Sequence, residues 1–366
     1  MRRGVRPNAP TLRFGDMNQR RLGIVVIAAG KGTRMRSGLP KELHALCGRS
    51  MLGHVLALAE ALEPVYTVVV LSPEKLGPVR ASADEARPYT YAVQAEQLGT
   101  GHAVLQARSA LPSASDEVLV LYGDTPLLRA ETARAVVDLR RANAALVSIL
   151  SMHVPPPSGY GRIVRDDAGR VVAIVEERNA TQEQFALTEC NSGVMCFDAA
   201  WLWQALARIP PNPVNGEYYL TELADMAVAE RGPGAAVALP ADDAREAWGI
   251  NDRAQLAQAE TVMRERILDR LMRAGVSITD PANTYVDVDV TVGGDSTLLP
   301  GTYLRGATDV GPNCEIGPAT MIVDSSIGSR ARVRYALVER AAIAPGAAIG
   351  PFEHISGDEK RRQRDE

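Results

Sequence analysis

VDVDVTVGGDSTLLPGTYLRGATDVGPNCEIGPATMI, residues 286–322, carries an apolar residue at every sixth position: Val286, Val292, Leu298, Leu304, Val310, Ile316 and Ile322. An ordinary all-β region would alternate with period two, and that alternation is weak here. A sustained period of six is the signature of a parallel β-helix, in which each apolar side chain points into a narrow prism and glycines and prolines turn the corners. Gly293, Gly311, Gly317, Gly328 and Gly350 each follow an apolar residue, as such corners require. The period predicts roughly four coils from Val286 to Ile355. Of the last nine residues eight are charged, which reads as a solvated tail.

Toward the N-terminus the pattern changes twice. A helical run over 252–273 has apolar residues at helical spacing. Before it, short β-rich runs at 23–28, 65–71, 89–93, 117–122 and 145–153 alternate with helical ones at 50–62, 73–86, 101–110 and 130–142. A region of shorter strands and turns (159–200) and helices near 198–208 and 219–231 follow. The alternation predicts an α/β domain, a parallel sheet with helices on both faces. Ligands in such sheets bind beyond the carboxyl ends of the strands. The loop after the first strand and the stretch LYGD, Leu121–Asp124, therefore fall on one edge.

That first loop lies in VVIAAGKGTRM, Val25–Met35. Lys31 between Gly30 and Gly32 does not fit a P-loop, which ends in Lys-Ser/Thr. Met35 stands where a dinucleotide fingerprint has its third glycine. Arg34, Arg36 and Lys41 follow the glycine turn, and three cations there suit a polyanion such as a nucleoside triphosphate.

The chain has 366 residues, 46% of them hydrophobic, enough for one large core and a second domain. Its net charge of −4 points away from nucleic acid, and no apolar run is long enough to span a membrane. The first twenty residues are arginine-rich without an apolar h-region, so they do not read as a signal peptide, and Met17 offers a second start. Four cysteines without metal-ligand spacing read as reduced thiols of a cytoplasmic protein.

AAGKGTRM, LPKELH, VQAEQLGTGHA, YGDTPL, GYGRIV, CNSGV, NGEYYLTEL and GINDRAQL, in this order and followed by hexapeptide repeats, resemble the GlmU family, the bacterial bifunctional N-acetylglucosamine-1-phosphate uridylyltransferases/glucosamine-1-phosphate acetyltransferases. QAEQLGTGHA together with NGEYYLTEL is far more specific than the glycine loop, which alone indicates sugar nucleotidyltransferases in general. The resemblance implies a Rossmann-like nucleotidyltransferase domain with a GT-A-like mixed sheet, followed by a short left-handed parallel β-helix. The expected divisions are a disordered extension over 1–20, the nucleotidyltransferase domain over 21–251, a linker helix over 252–280, a truncated β-helix over 281–355 and a charged tail over 356–366.

The implied reaction joins UTP and N-acetylglucosamine 1-phosphate, releasing pyrophosphate with Mg²⁺ and making UDP-N-acetylglucosamine for the cell envelope. Both reactants are anions, so charge neutralisation and in-line positioning replace a covalent nucleophile. By resemblance, Ile27, Ala28, Ala29 and Gly30 approach the nucleotide, Arg34 and Lys41 bind its phosphates, and Gln94, Gly99 and Thr100 bind uracil. Asp124 and Asn251 become the Mg²⁺ ligands; without the resemblance Asp124 reads equally well as a helix N-cap. Tyr122 and Gly123 line the same pocket, and Gly161, Glu176 and Asn191 match the sugar contacts.

The family's acetyltransferase residues follow a segment like IGPF. Here Ile349–Phe352 is followed by EHISGDEKRRQRDE, without that motif, so acetyl transfer is expected to be absent. The family's prisms associate as trimers, which implies homotrimerisation here too. The alternatives are a pyrophosphorylase for another hexose 1-phosphate and a non-catalytic regulatory or scaffold subunit. The presence of Arg34, Lys41, Asp124 and Asn251 disfavours the last.

Overall fold

The computed structural model describes residues 20–82, 89–110, 115–156 and 159–357. The expected N-terminal extension except residue 20, the end of the helix expected over 73–86, and all but the first two residues of the expected tail lie outside these. Among the described residues no helix is long and apolar enough to cross a membrane.

The first strand, β1 (Leu22–Ile27, LGIVVI), is buried along its whole length because it lies at the centre of a sheet covered on both sides. Its side chains alternate between faces. Ile24 and Val26 join one core, covered by the helices Met51–Ala61, Pro73–Ser82 and Ala130–Asn143. Val25 and Ile27 join the other, covered by Thr100–Ala107, Ala199–Ala205 and Glu222–Arg231.

The other strands are β2 (Tyr66–Leu71), β3 (Thr90–Val93), β4 (Glu117–Tyr122), β5 (Val147–His153), β6 (Arg162–Arg165), β7 (Val171–Val175), β8 (Glu189–Asp198) and β9 (Ala236–Pro240). The order across the sheet is β9-β5-β8-β4-β1-β2-β3, with β6 against β8 and β7 against β6. β3, β2, β1 and β4 run parallel. β8 is antiparallel to both β4 and β5, so the sheet is mixed, and the all-parallel sheet predicted from the alternation is corrected. The reversal has a functional result: the beginning of β8, where Asn191 pairs with Ser151, lies at the edge where the parallel strands end.

The prism begins at Ser277, earlier than the period of six indicated, and has three parallel sheets. On one face Thr284 pairs with Thr302 and Thr302 with Thr320, a repeat of eighteen residues. Met321 then pairs with Leu337 and Leu337 with His354, repeats of sixteen and seventeen. The later coils lose a residue or two at the corners, which is why the period of six stops at Ile322 although Ile327, Val333, Val338 and Ile343 still fill the core. Buried corner hydroxyls donate to carbonyls of the next coil: Thr302 Oγ1 to Ile316 O at 3.2 Å and Thr320 Oγ1 to Val333 O at 3.4 Å.

The two halves meet at the short hairpin Ala45–Leu46/Arg49–Ser50. Cys47 N donates to Glu260 Oε2 at 2.9 Å, on the helix Arg253–Arg273, and Val288 N of the first coil donates to Cys47 O at 2.9 Å. Arg49 pairs with Asp289.

Candidate active site

β1 and β4 end side by side where the chain leaves β1 toward one edge of the sheet and β4 toward the other, the usual place for a ligand in such folds. A cleft of about 460 Å³ opens there, lined among others by Ile27, Ala28, Ala29, Gly30, Lys41 and Gln94. Ala28 N still bonds to Val70 O of β2 at 2.8 Å. Beyond it the backbone leaves the sheet. Among the described residues, the N–H groups of Ala29, Gly30 and Lys31 have no acceptor. A Cβ on Gly30 would meet no protein atom within 4 Å, so packing does not require glycine there and the space faces the cleft. Gly32 differs: its φ is +63°, and its Cβ would lie 2.8 Å from Lys41 Cβ.

Lys41 opens the single 3-10 turn Lys41–Leu43 and is 8% exposed. Its ammonium pairs with Asp124 Oδ2 and donates to Asn251 Oδ1 at 3.1 Å. Asp124 follows β4 by two residues, and its carbonyl accepts from Ile250 N at 2.9 Å. That bond brings the start of the helix Arg253–Arg273 to the strand end, and Asn251 N is fixed by Gln255 Oε1 at 2.7 Å. Residues 41, 124 and 251 thus converge from three elements. Gly123 is held by its N–H on Ile27 O at 2.9 Å, and its Cβ would lie 3.1 Å from Ala28 Cβ. Arg34 stands apart. It is exposed, in the 3-10 turn Thr33–Met35, and is not part of the cleft wall.

The segments QAEQLGTGHA and NGEYYLTEL interlock. Tyr218 N donates to Leu98 O and Gly101 N to Tyr218 O, each at 2.8 Å, and Leu220 N donates to Thr100 Oγ1 at 2.9 Å. Gly99, at φ +101°, lies against the Tyr218 backbone, and its Cβ would lie 2.6 Å from Tyr218 O. Gln94 is 3% exposed, and its Nε2 donates to Gly99 O at 3.0 Å. This orientation leaves Oε1 without a donor among the described residues. Gln97, Glu217 and Tyr219 also line the cleft and were not singled out from the sequence. The only signal for them was their place inside the two interlocking motifs.

On the other side of Tyr122 lie the residues matched to sugar contacts. Asn191 N donates to Gly161 O at 2.7 Å, and Asn191 Oδ1 accepts from Gly193 N at 2.9 Å. Gly193, at φ +91°, would place a Cβ 2.7 Å from the Tyr122 ring. Glu176 accepts from Thr221 Oγ1 at 2.9 Å. Burial raises the Glu176 carboxyl above its ordinary range, while the Thr221 hydroxyl and Arg178 pull it back. Burial, reinforced by the Glu176 and Asp124 carboxylates, also pushes the Tyr122 phenol up, so it stays neutral. Among the described residues no group of three or more His, Cys, Asp or Glu side chains forms a metal cage. A cation here would be held by Asp124 and Asn251 and completed by ligand and water oxygens.

Residues 24–186 match the MobA-like NTP transferase domain family. The chain is 46% identical over 327 residues to the bifunctional protein GlmU of Thermobifida fusca (strain YX), an alignment covering 88% of this chain and 67% of that protein. The chain belongs to the GlmU family. The GlmU of Streptomyces avermitilis is 44% identical over 335 residues, covering 91% of this chain and 69% of that protein. That of Halalkalibacterium halodurans is 42% identical over 333 residues, covering 90% and 72%. This GlmU-family chain is a nucleotidyltransferase of the UDP-N-acetylglucosamine pyrophosphorylase type, a uridylyltransferase.

Proposed function

We propose that the cleft binds UTP and N-acetylglucosamine 1-phosphate, and that Asp124 and Asn251 hold a Mg²⁺ ion. The observation that carries the metal reading is the convergence of Asp124 Oδ2 and Asn251 Oδ1 on one cation, the Lys41 ammonium. Two hard oxygen donors, one of them anionic, aimed at one point suit Mg²⁺, which takes its remaining ligands from phosphates and water. When bound, the ion neutralises the triphosphate and polarises the phosphorus that is attacked.

The chain's own residues supply binding and orientation. Ile27 ends the strand that presents the loop, Ala28 N stays in the sheet, and the N–H groups of Ala29, Gly30 and Lys31, without an acceptor among the described residues, face the phosphates. Lys41 places a point charge beside the α-phosphate, and Arg34, on the exposed turn, closes on the triphosphate from outside. Gln94 Oε1 accepts from uracil N3–H, whereas cytosine offers an acceptor there. Gly99 and Thr100 fix the height of the base. Tyr122, Gly123 and Gly161 form the floor under the sugar, Glu176 accepts from its hydroxyls, and Asn191 donates and accepts. The sugar phosphate oxygen then attacks in line and pyrophosphate leaves, with no covalent enzyme intermediate.

The protein works in the reducing cytoplasm, a reading supported by four cysteines that are all buried and lack metal-ligand spacing. It associates as a homotrimer through the prism, where Tyr285, Tyr303 and Met321 form an outward column. Outward charges such as Arg330, Arg332, Arg334 and Glu339 make that trimer a weak one, dissociating on dilution. Light scattering over a dilution series checks this, and a trimer persisting at nanomolar protein would contradict it.

The functional test is incubation with UTP, Mg²⁺ and a panel of sugar 1-phosphates, with pyrophosphate release as readout. N-acetylglucosamine 1-phosphate should react fastest. A faster reaction with another hexose 1-phosphate would reassign the sugar.

A further inference from the structure

The glycine loop is tied down through its carbonyls by side chains of neighbouring elements. Lys75, in the first turn of the helix Pro73–Ser82, is 3% exposed. Its ammonium donates to Ala28 O at 3.1 Å and also to Gly30 O. The same ammonium meets both carboxylate oxygens of Glu42, at 2.8 and 2.7 Å, and Glu42 is 2% exposed. The carbonyl between the two, Ala29 O, accepts from Gln97 Nε2 at 2.8 Å. Three consecutive loop carbonyls are therefore held by side-chain donors. The N–H groups of Ala29, Gly30 and Lys31 have no acceptor among the described residues. A carbonyl turned into the cleft would repel phosphate oxygens, and an N–H attracts them.

We propose that Lys75, charge-balanced by Glu42, is a positioning residue for the nucleotide: it holds the loop carbonyls back so that the loop N–H groups meet the triphosphate. The proposal rests on the reading of the cleft as a UTP site. An ammonium has three donors, and here they reach Ala28 O, Gly30 O and Glu42. A buried ion pair that served stability alone could be exchanged for apolar side chains at little loss. This one points at main-chain carbonyls of the ligand loop, which apolar side chains cannot hold. Glu42 also directly follows Lys41, so the same pair anchors the turn that carries the cleft's buried ammonium.

The test compares the full chain with Lys75→Met/Glu42→Leu, which removes the pair as a unit and leaves no uncompensated charge. Circular dichroism and thermal melting report the fold, calorimetry with UTP alone reports binding, and initial rates give KM for each substrate. The expected result is a folded variant with UTP affinity weakened at least tenfold, KM for UTP raised in step, and KM for the sugar 1-phosphate within twofold of the parent. UTP binding within twofold of the parent, or an equal rise in both KM values, would overturn the proposal. If the double variant does not fold, Gln97→Ala carries the test by freeing Ala29 O alone, and unchanged UTP affinity in it counts against the proposal. Lys41→Met separates the two levels of the argument. If neither Lys41→Met nor the double variant weakens UTP binding, the nucleotide reading of the cleft fails. If only Lys41→Met does, the role of Lys75 alone fails.

Discussion

Replacing Gly99 by alanine tests whether the interlock of residues 94–101 with 217–220 shapes the base site. Gly99 has φ +101° and ψ 177°, a region essentially reserved for glycine, and a side chain there costs about 1–3 kcal/mol. The new Cβ would also lie 2.6 Å from Tyr218 O and 2.8 Å from Tyr218 N, against 3.4 Å for the near limit of ordinary contact. Those atoms are backbone, held by the bonds of Tyr218 N to Leu98 O and Gly101 N to Tyr218 O, so relief requires the two segments to part by most of an ångström. A displacement of that size at a positioning segment costs on the order of a hundredfold in rate. The expected outcome is a fall of roughly 10- to 100-fold in kcat/KM for UTP, with a melting temperature lower by about 2–8 °C. Pyrophosphate release with UTP varied at saturating sugar 1-phosphate gives the first quantity and a circular-dichroism melt the second. A Gly99→Ala enzyme within twofold of the parent in kcat/KM would refute the reasoning, because the segments would then have separated without disturbing the base.

Asp124→Ala should keep its fold and lose turnover by about a thousandfold or more, the several kcal/mol a charged metal ligand supplies; near-parental pyrophosphate release from the folded variant would reject the assignment. Lys41→Met should bind a divalent cation more tightly in the absence of nucleotide, by roughly tenfold, because the ammonium now occupies both oxygen donors. Electron paramagnetic resonance with Mn²⁺ measures this, and equal or weaker binding sinks the idea. Asp225 is half-buried and accepts from Ile174 N at 3.0 Å, and burial raises its carboxyl from 3.8 to about 6. A raised acid favours the folded state while protonated, so its contribution is full below pH 3.8 and is lost as pH rises through about 6. Asp225→Asn should therefore match the parent's stability near pH 4 and exceed it by about 1 kcal/mol above pH 6, after discounting for partial exposure; a difference in melting temperature that does not grow with pH would count against it.

Elements whose pattern is local were legible from the sequence. β1 and β4 were expected at 23–28 and 117–122 and lie at Leu22–Ile27 and Glu117–Tyr122, because a strand buried on both faces is a continuous apolar run. The prism was visible wherever its coils kept eighteen residues. The direction of β8 was not, because a strand carries no mark of whether its neighbour runs with or against it, and that neighbour lies far away in sequence. The Lys75–Glu42 pair was invisible for a related reason: a lysine in a helix's first turn reads as solvated, and only the fold brings it under a loop more than forty residues earlier. The clustering of Lys41, Asp124 and Asn251 reached the page through family motifs, since nothing in the spacing of three such distant residues says that they touch.

The prism touches the catalytic half through its first coil, at Cys47 and Arg49, while the coils stacked on it keep their pairing to one another. Its height is thus a free parameter for evolution or engineering. Residues 284–301 span one turn between Thr284 and the start of its partner strand at Thr302, so duplicating that unit would preserve the face assigned to every side chain. The stack would lengthen by one interstrand spacing, about 4.8 Å, with the cleft untouched. The same duplication taken from the later turns, which have sixteen or seventeen residues, would carry its own corner geometry with it and need the matching turn as neighbour. The β-helix behaves as a ruler whose marks keep one spacing while the length of chain between them shortens from base to tip.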